Sequence, residues 1–288
     1  MGGAKVIATT SSYSYTTTQF FEDMYKACGS RGSELVVVPF NQGSVQDIKQ
    51  LIDYAFDEPD TNGSGSNSSL GWNIDYVFPF AAIGDYGVTA TNIGSRTELS
   101  QRIMLTNVIR MVGSIKSKKE SQGVMSSPSL FVLPLSPNHG FFGGDGLYGE
   151  CKIALETFVN RWESESWQDY ISISGAVMGW VRGTGLMSGN NLVAQTIEKA
   201  GVRTFSTCET AFGLLGLLSD RMCRYAEASP VWAVMDSGLG HERHRDVVLQ
   251  EHERIRQLSS IKSKVEYSSR EDYHSLYGDN PMFSSSIY

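Results

Sequence analysis

Short apolar runs alternate along the chain with stretches in which apolar residues recur every three or four positions. The runs are typical of buried strands and the wider spacing is typical of amphipathic helices. The predicted strands are Ala4–Thr10, Glu34–Pro39, Tyr76–Phe80, Ser129–Leu135, Ile171–Val177 and Trp232–Met235. The predicted helices are Thr16–Ala27, one ending near Phe56, Ser95–Ile115, one beginning at Tyr148, Thr207–Leu218 and His241–Leu258. Alternating strands and helices predict an α/β fold with a doubly wound parallel sheet.

The strand that ends at Leu135 leads into the clearest chemical pattern. Ser136 follows the strand, and after a glycine-rich turn Tyr148 opens a helix in which Lys152 lies one turn further on. Residues four apart share a helix face, so the phenol and the ammonium point the same way. A nearby ammonium lowers the pKa of a phenol, which then exchanges a proton at neutral pH. The alternative is an exposed helix start with a solvated lysine.

The third predicted helix carries a polar residue on its apolar side. Ser95 and Glu98 have the spacing of a capping box, which predicts the start of this helix. Leu99, Ile103, Asn107 and Met111 then repeat every four residues, so Asn107 interrupts an apolar stripe. A buried amide must be paired, and the partner is either a neighbouring backbone group or part of a site.

Composition narrows the class of protein. The 288 residues are 41% hydrophobic and 19% charged, which predicts a globular chain. The net charge of −7 argues against a nucleic-acid partner, and no apolar run is long enough to predict a membrane span. The four cysteines lack metal-site spacing, so we expect no metal. The first ten residues lack a signal-peptide layout, and the expected location is the cytoplasm.

The sequence segments around these residues resemble those of a known family. The serine, Tyr-x-x-x-Lys and their spacing resemble the short-chain dehydrogenase/reductase superfamily. The segments LPLSPNHGFFGGDGLYGECK, VVVPFNQGS, VFPFAAI, RIMLTNVIRM and GWVRGTGLMSGNN resemble the ketoreductase domain of the alpha subunit of fungal-type fatty acid synthases. The likeness runs from Gly2 to about Leu239. It implies a Rossmann-like fold and reduction of a 3-oxoacyl thioester on acyl carrier protein by NADPH.

The resemblance also implies residue roles. Tyr148 donates the proton to the substrate oxygen, and Lys152 lowers the pKa of the tyrosine and bonds the nicotinamide ribose. Ser136 polarises the keto group, and Asn107 orders a water in the proton relay. The implied cofactor contacts, besides Lys152, are Thr10, Ser11, Ser12, Asn41, Gln42, Phe80, Ala81, Ala82, Ile83, Gly183, Thr184 and Leu186. Residues Met187–Asn191 begin a lid with Gly185 and Gly189 as hinges.

Several of these assignments have alternatives. Phe80–Ile83 also suit an ordinary strand end, and Asn41–Gly43 an ordinary turn. The family places an arginine where this chain has Ser12, which predicts a weaker preference for NADP, although the hydroxyls of Ser11 and Ser12 can still bind its phosphate. Lys116, Lys118 and Lys119 are candidates for a patch that meets the carrier protein, and a solvated loop is the alternative.

The order of the predicted strands also indicates where the domain begins and ends. A sheet of this class normally begins with a strand and a glycine-rich turn that seats the cofactor pyrophosphate. Met1-Gly-Gly precedes what reads as the second strand, so we expect the first strand and that turn to lie upstream of Met1. The predicted division is a reductase domain over 1–239 and a C-terminal helix with a loose tail over 240–288. Other domains of the synthase are the implied partners.

Two functional alternatives remain at this stage. In one, the chain is a catalytically silent structural segment of a large synthase, because a pyrophosphate-binding turn is missing. In the other, the same reduction serves a secondary-metabolite synthase that makes a short acyl starter. Sequence alone favours neither of these over reduction in fatty acid synthesis.

Overall fold

A computed structural model describes residues 2–59, 69–125, 127–187, 191–251, 253, 254 and 257. The strands are β1 (Lys5–Thr10), β2 (Glu34–Pro39), β3 (Tyr76–Val77), β4 (Ser129–Leu135), β5 (Ile171–Met178) and β6 (Val231–Met235). The helices are α1 (Tyr15–Cys28), α2 (Val45–Phe56), α3 (Ser95–Gln101), α4 (Asn107–Ser121), α5 (Tyr148–Glu156), α6 (Phe158–Ser164), α7 (Asn191–Lys199), α8 (Thr207–Gly216) and α9 (Asp220–Ala228). Residues Arg102–Thr106 form a π-helical segment between α3 and α4. Residues 242–251 are also helical.

All strand pairs are parallel, and they form two sheets. One sheet has two strands in the order β1-β2, and the other has four in the order β3-β4-β5-β6. Within the described residues no strand joins the two sheets. Every residue of β4 is buried, which explains its nearly unbroken apolar sequence.

Helices cover both faces of the larger sheet. Phe131 and Leu133 of β4 pack in a core with α2, α4 and α6. Leu130 and Val132 point to the opposite face and pack against α8 and α9. Because successive side chains of a strand alternate between faces, β4 contributes to both cores at once. The predicted doubly wound α/β architecture is therefore confirmed.

The predicted helix Ser95–Ile115 exists, with two differences. Its first residue is capped by Gly94 in extended backbone, and no side chain caps it, so the predicted capping box of Ser95 and Glu98 is wrong. A capping box does form at Ser206 and Glu209, where the serine lies outside α8 and accepts from the backbone of Glu209. The π-helical segment inside the long helix is the second difference, since a regular repeat of apolar residues does not reveal it.

The sequence pattern did not predict α7 and α9, and the helix predicted from Tyr148 is divided into α5 and α6. The predicted helix from His241 begins at residue 242, and its last predicted residue lies outside the described part. Val248 on this helix is fully buried in a cluster with Trp180, Ile197 and Leu239. The helix thus packs on residues before the predicted boundary at 239, and the boundary stays a prediction. Within the described residues no helix is long and apolar enough to cross a membrane.

Candidate active site

The parallel strands bring the predicted site residues to one edge of the molecule. Thr10, Asn41, Phe80 and Ser136 stand at or just beyond the carboxyl ends of β1, β2, β3 and β4. In open α/β sheets this edge is where ligands bind. Residues as far apart in sequence as Thr10 and Ser136, 126 positions, therefore lie at the same edge of the parallel strands.

Ser136, Tyr148 and Lys152 lie together. The Ser136 hydroxyl lies close enough to the Tyr148 phenol to favour the phenolate form. The Lys152 ammonium lies over the Tyr148 ring, 5.2 Å from its centroid. Tyr148 is the first residue of α5, so its spacing from Lys152 puts both on the helix face toward β4. The three groups that the sequence singled out therefore form one cluster.

The direction of the pKa shift at Tyr148 differs from the expectation. Burial raises the pKa of the phenol above its usual value, and the nearby Ser136 hydroxyl only partly opposes this rise. The expected net lowering of this pKa is wrong, because the effect of burial outweighs that of the groups that favour the phenolate. The phenol is thus held protonated at neutral pH, which is the form that a proton donor needs.

Lys152 has a backbone partner that the sequence did not suggest. Its Nζ donates to the carbonyl oxygen of Pro134 at 2.6 Å, and the residue is only 4% exposed. Burial lowers the pKa of the Lys152 amine to about 8. The ammonium form is therefore still favoured at pH 7, but by a small margin compared with an exposed lysine.

Asn107 is fully buried at the junction of the π-helical segment and α4. Its Nδ2 donates to the backbone oxygen of Gln42, and its Oδ1 accepts from Nη1 of Arg110 at 2.6 Å. Both ends of the amide are therefore paired with protein groups. Arg110 was missed from the sequence, although its position three residues after Asn107 on the same helix face was an available signal.

The segment after β3 packs near the catalytic cluster. Ala82 and Ile83 contact the small apolar cluster that contains Ile103, Met104 and Cys151, as does Tyr148. Ala81 is exposed, and Phe80 packs against the opposite face of the sheet. Ala82 and Ile83 thus pack against the same apolar cluster as Tyr148. The Phe80 side chain instead packs in the core that β4 forms with α8 and α9.

The segment after β5 contacts the segment after β3. A methyl group placed on Gly84 would lie 3.3 Å from the side chain of Leu186, so the two segments touch. Gly183 is exposed with φ of +80°, a conformation that glycine adopts readily, and Thr184 is half-buried. The predicted lid begins at Met187, and its remaining residues through 190 lie outside the described residues.

The ends of β1 and β2 form two compact turns. Thr10 Oγ1 donates to the backbone oxygen of Ser12 at 2.9 Å, and the side chains of Ser11 and Ser12 are exposed. Asn41 is exposed, and its Oδ1 accepts from the backbone of Gly43 at 2.9 Å. Exposed hydroxyl and amide groups at this edge fit the ribose and phosphate end of a dinucleotide.

Gln42 does not share this exposure. It is 7% exposed, and its Nε2 donates to the backbone oxygen of Ile103 at 2.8 Å. The amide is turned into the protein, which corrects the predicted place of this side chain beside the adenine.

The three lysines expected to meet the carrier protein are already engaged. Lys118 pairs with Asp53 and Asp57 at 2.9 and 2.6 Å. Lys119 is fully buried, and Lys116 lies 3.6 Å from Glu120. Lys119 is therefore unavailable to a surface patch, and all three lysines lie on α4 and not on the solvated loop that was the alternative. Within the described residues, no group of three or more metal-binding side chains comes together.

Comparison with known proteins gives relatives over most of this chain. No family model matches it. The fatty acid synthase subunit alpha of Schizosaccharomyces pombe is 53% identical over 238 residues, which are 83% of this chain and 12% of the relative. The Candida albicans subunit is 46% identical over 280 residues, which are 97% of this chain and 14% of the relative. The chain therefore spans a small part of the relatives that it matches.

Solved structures agree in fold at much lower identity. A short chain dehydrogenase/reductase family protein superposes with a TM-score of 0.60 at 17% identity, covering 82% of this chain and 86% of the other. A 4-hydroxyisoleucine dehydrogenase complexed with NADH and succinate gives 0.59 at 14% identity, covering 81% and 87%.

The fold is that of the short-chain dehydrogenases/reductases. The chain is homologous to one segment of the fungal fatty acid synthase alpha subunit.

Proposed function

We propose that this segment reduces the keto group of a 3-oxoacyl thioester to the 3-hydroxyacyl thioester, with NADPH as the hydride donor and acyl carrier protein as the carrier. The observation that carries the proposal is the cluster of Ser136, Tyr148 and Lys152 at the carboxyl edge of the sheet. Relatives that are fatty acid synthase subunits support the substrate class. The dehydrogenase of like fold that holds NADH supports a nicotinamide dinucleotide.

The residues at the edge suit such a cofactor. Ser11 and Ser12 offer hydroxyls for the ribose end, and Ala82, Ile83 and Leu186 offer an apolar wall for the nicotinamide end. When bound, NADPH supplies the hydride. In this proposal the Lys152 ammonium also binds the nicotinamide ribose.

The chain's own residues handle the proton. Ser136 donates a hydrogen bond to the substrate carbonyl oxygen, which stabilises the negative charge that develops there. Tyr148 then gives its phenolic proton to that oxygen, and the raised pKa keeps this proton available at neutral pH. Lys152 stabilises the phenolate that results, because its ammonium lies over the same ring.

To test this, the homologous segment of the Schizosaccharomyces pombe alpha subunit is replaced by this chain to give a hybrid synthase. Turnover is measured as the loss of NADPH fluorescence with an acetoacetyl thioester as the substrate. Tyr148→Phe removes the donated proton, and we expect kcat to fall by about 100-fold or more, the usual contribution of general acid catalysis. Tyr225→Phe is the control, because Tyr225 is an exposed residue of α9 whose hydroxyl accepts from Arg221 on the same helix. An assembled synthase that keeps full turnover with Tyr148→Phe would refute the assignment.

A silent structural role is the second candidate, and the exposed turns at β1 and β2 motivate a direct test. Titration of the 288-residue chain with NADPH separates the two. Binding in the micromolar range excludes the silent role, whereas an assembled hybrid synthase without turnover supports it.

A further inference from the structure

The loop after β2 is hydrogen-bonded both to the π-helical segment and to the first residue of α4. The Gln42 side chain donates to the Ile103 carbonyl inside that segment. In return, the Asn107 side chain donates to the Gln42 backbone oxygen. These bonds join residues 61 and 65 positions apart in sequence, so they fix two separate parts of the chain relative to each other.

Close packing reinforces this connection. A methyl group on Gly43 would lie 2.8 Å from the Leu99 side chain, so the loop backbone is pressed against the turn of α3 that precedes the π-helical segment. The Gln42 side chain is buried, and an unpaired amide there would carry the full cost of desolvation. The loop therefore has little room to shift without breaking these bonds.

The π-helical segment in turn contacts the catalytic cluster. Ile103 and Met104 pack in one apolar cluster with Cys151, and Tyr148 packs against the same cluster. The backbone group that Gln42 holds thus belongs to a residue beside the proposed proton donor. π-Helical turns inside α-helices are frequent at functional sites, and this one leads directly into Asn107.

We propose that Gln42 is a positioning residue for catalysis: it holds the π-helical segment so that Asn107 and Tyr148 keep their places. This inference rests on the proposed reductase function. It differs from the role implied by the family resemblance, in which Gln42 touches the adenine of the cofactor. A role beside the adenine affects cofactor binding, whereas a positioning role affects turnover.

The test uses Gln42→Met in the hybrid synthase, since methionine keeps the length of the side chain and removes the donor. We expect kcat to fall by about tenfold or more, because small displacements of catalytic groups are costly. The KM for NADPH should change by less than about threefold. Gln122→Met is the matched control, because Gln122 also donates to a backbone oxygen, that of Phe56, at the far end of α4.

A second variant gives a signature that simple destabilisation would not produce. In Gln42→Glu the carboxyl group donates to the Ile103 carbonyl only when it is protonated. The ratio of its kcat to that of the wild type should therefore rise as the pH is lowered. A rise in the KM for NADPH with kcat unchanged in Gln42→Met would overturn the proposal and restore the adenine contact.

Hydrogen exchange separates this inference from the reductase function itself. In the 288-residue chain, Gln42→Met should speed amide exchange over residues 102–110 and leave residues 112–121 unchanged. Faster exchange with a normal kcat would overturn the positioning role. Unchanged exchange over 102–110 would show that the bond does not hold the segment, whatever the enzyme does.

Discussion

The two sheets are built from similar apolar strands but differ greatly in burial. Helix α1, between β1 and β2, has no buried residue, and its Phe20 is 60% exposed. In the larger sheet every residue of β4 is buried between two layers of helices. A two-stranded sheet is marginal by itself, because it buries little apolar surface.

The two regions are therefore stabilised by different kinds of interaction. The Ser14 hydroxyl accepts from the backbone of Thr17 and caps α1, and Lys26 pairs with Glu22 and Asp23 on its surface. Such contacts contribute only a few tenths of a kcal/mol to about 1 kcal/mol each. The β4 region depends instead on burial of large side chains from distant parts of the chain. Local signals are enough to specify α1, whereas the larger sheet needs the whole fold.

The largest difference in stability is expected from matched truncations in the two regions. Phe131→Ala removes a fully buried ring of β4 and should lower the free energy of unfolding by about 3–5 kcal/mol. Phe20→Ala on the exposed surface of α1 should change it by about 0.5 kcal/mol or less. Urea unfolding of both variants measures the difference. Equal losses would contradict the contrast between the regions.

A smaller effect is expected where a glycine permits close packing in the larger sheet. A methyl group on Gly175 would lie 1.9 Å from the Trp232 ring, so Gly175→Ala should cost about 1–3 kcal/mol of unfolding free energy through overpacking. Gly113 is the control, because it lies on the exposed side of α4 with nothing within 4 Å of an added methyl group. Gly113→Ala should stabilise the protein by about 0.5–1 kcal/mol. Thermal melts of the two variants should therefore shift in opposite directions.

The smallest expected effect concerns pH and a buried lysine of α4. Burial lowers the pKa of Lys119 to about 8, and its Nζ donates to the Ser127 carbonyl at 2.5 Å. Between about pH 8 and its usual pKa, the unfolded chain binds more protons at this lysine than the folded chain. Stability from this group should therefore rise with pH in that window.

Lys119→Met isolates this contribution, because Lys152, whose pKa burial also lowers, remains in both proteins. The unfolding free energy of the wild type should rise relative to that of the variant from about pH 8 to about pH 9.5. A constant gap for Lys119→Met would contradict the assigned cause.

The sequence was most informative where the spacing itself determines the geometry. Tyr148 and Lys152 are one turn apart, so any helix beginning at Tyr148 places them on one face. Ser136 follows a strand whose neighbours are parallel, so its position at the edge also follows from the pattern. These local rules were sufficient to bring the three groups together.

The partners of these groups could not be predicted in the same way. The contact of Lys152 with the Pro134 carbonyl depends on how closely α5 approaches β4, which no residue type reveals. The inward turn of Gln42 depends on a carbonyl in the π-helical segment, 61 positions away. Charge runs were also misleading, since Lys119 in a basic stretch is fully buried. In each case a tertiary contact outweighed the local pattern.

The separation of the two sheets has a consequence for how the isolated chain behaves in concentrated solution. Within the described residues β1 pairs only with β2, so one side of β1 presents backbone donors and acceptors that a strand of another molecule can bind. Edge-to-edge association of this kind leads to aggregation. Lys5 at the first position of β1 opposes such association, because a lysine must lose water to enter a contact of this kind.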